Sequence, residues 1–250
     1  MLILGDSLVE LKKIKSNSID LVFSDPPYFL SNDGISCQNG KMVSVNKGEW
    51  DKSQGFKENV KFHKQWIKEC KRILKPNGTI AISGTYHSIY QCGFILQEQG
   101  FEIINDIVWF KPNGAPCLAC KNFTASHESV IWARKTKKSK HTFNYEVMKN
   151  WDVSNDKINN QGKQMRSVWS IGLTPANEKK FGKHPTQKPN ELLKRIIAAA
   201  TNEGDTILDP FMGSGTTGVV AKMLKRKFIG IEMSPEYVEL AKKRIENVNE

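Results

Sequence analysis

Long apolar runs are missing from this 250-residue chain: none approaches the roughly 20 residues of a membrane-spanning helix. Cysteine is sparse and odd in number, with Cys37, Cys70, Cys92, Cys117 and Cys120 the five present, which does not suit a disulfide framework. The opening residues, Met1 to Asp6, turn acidic too early for a secretory signal. These absences predict a soluble protein of the reducing cytoplasm. Cys117 and Cys120 have C-x-x-C spacing, but no second pair and no His-x-x-x-His partner accompanies them to close a four-ligand zinc site. No metal is expected, and both read as packed or surface thiols. Acid is also scarce. Against 37 Lys and Arg stand 26 Asp and Glu, a formal charge of +11. That excess suits a polyanionic partner, because each phosphate contact by a cation releases counterions.

What is present is an alternation of short apolar runs with helical periodicity. Strands are predicted at Leu2 to Leu4, Ile19 to Ser24, Thr79 to Ser83, Ile103 to Trp109, Ser129 to Ala133, Thr206 to Asp209 and Phe228 to Ile231. Most are continuous apolar runs, as expected of strands covered on both faces. Between them, Val60 to Leu74 places Phe62, Trp66, Cys70, Ile73 and Leu74 on one helical stripe. Asn190 to Thr201 offers Leu193, Ile196, Ile197 and Ala200 to a core, and Ser234-Pro235-Glu236 is a good helix start. Such alternation implies a mostly parallel α/β sheet with helices on both faces. Two stretches break the pattern. Ser31 to Phe56 is polar and Gly-rich, and reads as a long active-site loop. Arg134 to Lys183 is basic, with Phe143, Tyr145, Trp151, Met165 and Trp169 spread through it. Aromatics interleaved with cations fit a nucleic-acid surface better than a solvated linker.

Asp25-Pro26-Pro27-Tyr28 closes the strand that begins at Ile19. An exocyclic amino group on a base is a poor nucleophile, because its lone pair is delocalised into the ring. Two acceptors holding both N–H bonds favour a pyramidal nitrogen. The Asp25 carboxylate and the Pro26 carbonyl could be that pair. The prolines fix φ and offer no competing N–H. Tyr28 would present a flat face for the base. Asp25 would orient the nitrogen and stabilise the positive charge growing on it.

A second strand tip lies far downstream, at Asp209-Pro210-Phe211-Met212-Gly213-Ser214-Gly215-Thr216. Glycines there let backbone approach a ligand, and a following helix N-terminus favours its anionic part. Glu232 ends the next strand, where nucleoside-binding α/β folds hold a ribose. Asp6, after the first strand, could accept from a nucleobase amino group, cap a helix, or do both. Gly213 to Gly218 also fits the dinucleotide pattern G-x-G-x-x-G, but dehydrogenases usually open with it, and no hydride-transfer constellation is visible.

Together these residues resemble the β group of DNA amino-methyltransferases, in which the catalytic tetrapeptide comes first and the cofactor loop last. The resemblance spans essentially the whole chain. It includes Lys47-Gly48-Glu49-Trp50-Asp51, Leu74-Lys75-Pro76-Asn77-Gly78, His127-Glu128-Ser129-Val130-Ile131-Trp132-Ala133 and His184-Pro185-Thr186-Gln187-Lys188-Pro189. It implies a Rossmann-like, mostly parallel seven-stranded sheet in circularly permuted motif order with an inserted target-recognition region. The implied units are a catalytic half at 1–133, the insert at 134–183 and a cofactor half at 184–250. It implies S-adenosylmethionine as cofactor, held by Asp6, Asp25, Thr186, Lys188, Asp209, Phe211, Gly213, Ser214, Gly215, Thr216 and Glu232. Asp25, Pro26, Pro27 and Tyr28 are the implied catalytic turn, and Tyr28 with Phe123 the implied neighbours of an extruded base, although Phe123 could instead pack in the core.

Arg134, Lys135, Lys137, Lys138, Lys163 and Arg166 are the expected DNA contacts. Double-stranded DNA is the implied partner, and the resemblance leaves room for a cognate restriction endonuclease and a homodimer. Asp at position 25 favours adenine N6 over cytosine N4, where relatives more often carry Ser. Phe29 to Asn32, Lys47 to Lys52 and Lys163 to Met165 are similar to segments in methylases of GATC restriction systems. Cytosine-N4 transfer and a non-catalytic DNA-binding module of the same fold remain the alternatives.

Overall fold

The computed structural model describes residues 1–31, 35–38, 41–44, 51–117 and 120–248, the backbone alone at 35–38 and 41–44. All seven predicted strands form: β1 (Leu2–Leu4), β2 (Ile19–Ser24), β5 (Leu74–Gly84), β6 (Glu102–Phe110), β7 (His127–Arg134), β9 (Thr206–Asp209) and β10 (Lys227–Glu232). An eighth, β8 (Val168–Ser170), lies in the basic insert and extends the sheet to the order β1-β10-β9-β2-β5-β7-β6-β8. β7 is antiparallel to both its neighbours and every other pairing is parallel. The segment read as one long loop contains a separate antiparallel hairpin, β3 (Ile35–Gln38) with β4 (Lys41–Ser44). Asn32 and Lys47 to Trp50, which carried part of the resemblance, lie outside the described residues.

Side chains alternate between the two faces of the central strands. On one face Val22, Ile80, Ile82, Ile131, Ala133 and Leu208 meet α1 (Ser7–Lys13), α2 (Phe56–Ile73) and α3 (Ile89–Glu98). On the other, Leu21, Phe23, Ala81, Val130, Trp132 and Ile207 meet α5 (Asn190–Ala200) and α6 (Thr216–Met223). The final helix, α7 (Pro235–Glu246), packs on α6 and β1.

The insert is not an independent body. Its short helix α4 (Tyr145–Lys149) seats Met148 on Ala198 and Ala199 of α5. Asp156, buried at its centre, accepts from the Arg195 guanidinium of α5 at 2.6 Å. Residues 134–183 thus belong to the same core as the two halves they join. Among the described residues no helix is long and apolar enough to cross a membrane.

The chain visits β2 and β9 far apart, with Asp25 and Asp209 separated by 184 residues (209 − 25). Yet the two strands pair directly, Leu21 beside Ile207 and Val22 beside Leu208. Both motifs therefore emerge side by side at the carboxyl edge of the sheet, the position where open α/β sheets bind ligands.

Candidate active site

The two strand tips open into one cavity of about 620 Å³, walled by Asp6, Asp25 to Phe29, Asp51, Thr186, Lys188, Asp209 to Ser214, Thr216 and Glu232 among others. Gly215 alone of the expected cofactor residues is absent from that wall.

The turn Asp25 to Tyr28 is held from below by Asp51, which is 1% exposed. Its Oδ1 accepts from the backbone N–H of Tyr28 at 3.0 Å and Phe29 at 2.8 Å. Its Oδ2 accepts from Leu30 N–H at 3.2 Å and the Ser31 hydroxyl at 2.9 Å. Phe29 sits at φ 58°, a left-handed conformation costly for a bulky side chain and found where the surroundings over-determine it. The four-donor clamp supplies that determination. Asp51 entered the sequence reading only as part of a similar segment; its role depends on proximity that no local spacing reveals.

Above the turn lies a buried chain of charge. Tyr28 donates its hydroxyl to Asp25 Oδ1 at 2.6 Å, and Lys188 Nζ donates to Asp25 Oδ2 at 2.6 Å. Glu128, at the start of β7, places Oε2 3.2 Å from the Tyr28 hydroxyl and 3.5 Å from Lys188 Nζ. Its Oε1 is paired with Lys111, just past the end of β6. Two acids and two ammonium groups so compensate one another out of water. Burial pushes the Asp25 carboxyl up, and the Lys188 ammonium opposes that rise without cancelling it. Burial would also raise Glu128, but Lys188 and Lys111 outweigh it and hold its pKa down at about 2. Burial and the neighbouring carboxylates hold the Tyr28 phenol well above its ordinary value.

The expected flat face of Tyr28 is mostly covered, since the residue is 7% exposed. Lys188, expected at the methionine end of the cofactor, lines the cavity but commits its ammonium to Asp25.

On the cofactor side, Gly213 (φ 49°) and Gly215 (φ 75°) adopt the left-handed region. A Cβ on Gly215 would stand 2.6 Å from the Ala241 Cβ, so glycine is required there by conformation and by space. Asp209 acts within the loop, accepting from Phe211 N–H at 3.0 Å and the Thr217 hydroxyl at 2.5 Å. Burial drives its pKa up to about 7, against those two bonds. The Ser214 and Thr216 hydroxyls also turn to the protein, both accepting from Arg244 of α7 at 2.9 and 3.0 Å. Arg244 is 5% exposed and was not singled out in the sequence. Glu232 accepts from Gly213 N–H at 3.0 Å and Ser234 N–H at 2.9 Å. Asp6 caps α1 through Leu8 N–H at 2.8 Å and Val9 N–H at 3.2 Å while also facing the cavity, so both parts of its expected role are open to it. Thr186 lines the same wall.

These residues fit S-adenosylmethionine. The glycine bend leaves room beside the loop, Asp6 and Glu232 line the cavity with acceptors for a nucleoside's amino and hydroxyl groups, and the acidic lining suits a cationic ligand.

The expected DNA contacts lie in two separate places. β7 runs away from the site, from Glu128 to Arg134, about 20 Å at the usual strand rise. There Arg134 donates to Ser139 O, and Lys135 to Asn17 Oδ1 and Leu74 O, at the edge where β2 and β5 begin. Arg134, Lys135, Lys137 and Lys138 thus lie at the opposite edge from the catalytic turn, because an antiparallel strand carries its two ends to opposite sides. Lys163 and Arg166 are exposed on the turn leading into the edge strand β8. The segment that does flank the site is the β6–β7 connection, closed at its base by Lys111 N–H to Ser126 O at 2.7 Å. Phe123 projects from it, 97% exposed, so packing in the core is excluded.

A family model described as DNA methylase, for the N6 and N4 enzymes, matches residues 19–243. The chain is 53% identical over 251 residues to the Type II methyltransferase M2.DpnII of Streptococcus pneumoniae, covering 100% of this chain and 91% of that protein. It is 54% identical over 246 residues to the Type II methyltransferase M2.LlaDCHI of Lactococcus lactis subsp. cremoris, covering 98% and 88%. The crystal structure of the M1.HpyAVI-SAM complex superposes with a TM-score of 0.69 at 29% identity, covering 98% of both chains. With the paired strand tips, the glycine bend and the Asp-Pro-Pro-Tyr turn in one cavity, this chain belongs to the N6/N4 DNA methylase family and is an S-adenosylmethionine-dependent DNA methyltransferase.

Proposed function

We propose that the chain methylates adenine N6 at GATC in duplex DNA, in the cytoplasm, as the modifying member of a restriction system with a cognate endonuclease. The observation that carries the adenine reading is the Asp25 carboxyl group at the β2 tip, paired with Lys188 and open to the cavity beside the β9 glycine bend. The target base leaves the helix stack, at a cost of a few kcal/mol. Asp25 and the Pro26 carbonyl accept its two amino hydrogens and aim the nitrogen lone pair into the cavity. When bound, S-adenosylmethionine supplies an electrophilic methyl on a cationic sulfur. Asp25 then stabilises the charge growing on the nitrogen by fixed electrostatics. Phe123, exposed on the β6–β7 connection, would flank the vacated base position.

Support for the GATC target is the similarity of Phe29 to Asn32, Lys47 to Lys52 and Lys163 to Met165 to GATC methylases. The test is transfer of tritiated methyl to duplexes with and without GATC, followed by digestion to nucleosides. N6-methyldeoxyadenosine confined to GATC duplexes is expected. Label in N4-methyldeoxycytidine would overturn the adenine assignment, and DNA binding without any transfer would favour a non-catalytic module.

A further inference from the structure

Both oxygens of Asp25 already accept a hydrogen bond before any base arrives. Oδ1 accepts from Tyr28 and Oδ2 from Lys188, each at 2.6 Å. The amino group that this carboxylate is to hold therefore meets two oxygens already engaged, one of them by an ammonium. A second place for that ammonium lies close by, since Glu128 Oε2 is 3.5 Å from Lys188 Nζ. An ordinary charged hydrogen bond is about 2.8 Å long, so a shift of about 1 Å completes the transfer. Glu128 is itself fixed from its other oxygen by Lys111. The Lys188, Asp25 and Glu128 side chains are 7%, 16% and 10% exposed, so water has little part in the exchange.

We propose that Lys188 is a placeholder for the target amino group, and that Glu128 is the positioning residue that receives it. With no base bound, Lys188 offsets part of the cost of burying the Asp25 carboxylate, which would be higher without a partner. As the base enters, its amino group takes Asp25 Oδ2 and the ammonium moves onto Glu128. This withdraws a positive charge from the neighbourhood of a nitrogen that is itself becoming positive. Glu128 thus acts on the reaction through Lys188. The inference rests on the amino-transfer reading above.

A double-mutant cycle tests it, using Glu128→Gln, Lys188→Met and both together. Single-turnover transfer is measured from about pH 7 to about pH 10, because a buried carboxylate without its ammonium can titrate as high as about 8–9, beside cofactor and duplex dissociation constants. Glu128→Gln alone is expected to slow transfer by about 10- to 100-fold while both dissociation constants stay within about twofold. The Lys188→Met variant is expected to retain measurable transfer, and in that background the same change is expected to cost less than about threefold, because no ammonium needs a seat. Glu128→Asp, which keeps the charge, is expected to recover part of the loss; a purely structural Glu128 would show no such recovery. Equal slowing in both backgrounds, no slowing in the single variant, or abolition of transfer by Lys188→Met would overturn the placeholder role. Wild-type protein that transfers no methyl to DNA would instead sink the amino-transfer reading itself.

Discussion

Replacing Asp51 by alanine removes one buried carboxylate and leaves three backbone N–H groups and a hydroxyl without their acceptor. Each bond to a charged acceptor contributes about 1.5–3 kcal/mol. The four share one group and do not add, so a local loss of about 4 kcal/mol is expected. Phe29, held at φ 58°, has a further reason to relax once the clamp is gone. The turn then leaves the geometry that aims Asp25. If about 3 kcal/mol of the loss falls on the transition state, kcat drops roughly 100-fold, at about 1.4 kcal/mol per factor of ten. The sheet beneath is untouched, so the melting temperature should fall by only about 5 °C, well short of what a global loss of 4 kcal/mol would give. Asp51→Asn retains one carbonyl acceptor and should lie between the two. Single-turnover methylation with a parallel thermal melt reads both quantities. Turnover within about threefold of wild type in the alanine variant would refute the clamp.

Asp209, with a pKa of about 7 in the folded protein against 3.8 as an ordinary aspartate, makes stability depend on pH. The folded state binds the extra proton, so this group's contribution falls as pH rises from about 4 to about 7. Asp209→Asn removes that slope and can still satisfy Phe211 and Thr217. Its stability relative to wild type should improve by about 3 kcal/mol between about pH 5 and pH 8 in urea unfolding, at about 1.4 kcal/mol per pK unit; a constant difference would contradict the buried, raised carboxyl. Gly215→Ala combines a left-handed residue with a 2.6 Å encounter at Ala241. It should cost about 3 kcal/mol and weaken cofactor binding at least about tenfold, and unchanged affinity in a titration would show that the bend is not needed.

The sheet was legible where strands are continuous apolar runs. Ile19 to Ser24 and Thr206 to Asp209 need both faces covered, and their composition says so. β8 was not legible, because its three residues form a strand only by pairing with β6. α3 was hidden by Ile89-Tyr90 and Phe94-Ile95-Leu96, which blur the polar face that would mark a helix, and its N-cap Ser88 makes no side-chain bond. At the site, Asp25 and the glycine bend were readable because their chemistry is local to a few residues. Asp51, Lys111, Glu128 and Arg244 act across the fold on groups far away in sequence, so single-sequence reasoning had no spacing to measure. Composition located cations in the insert but could not tell which edge of the sheet they would reach. That edge depends on the antiparallel direction of β7.

The adjacency of β2 and β9 has a consequence for synthesis on the ribosome. β2 and β5 emerge early, while the strand that must lie on the other flank of β2 emerges late. Until then that flank presents unpaired backbone groups at what will be the centre of the sheet, an edge that invites aggregation and needs shielding. The same delay governs the cavity: a half-made chain carries the Asp25 turn without the late β9 and β10 tips that complete its wall, so no nascent fragment holds the whole site before the protein is nearly finished.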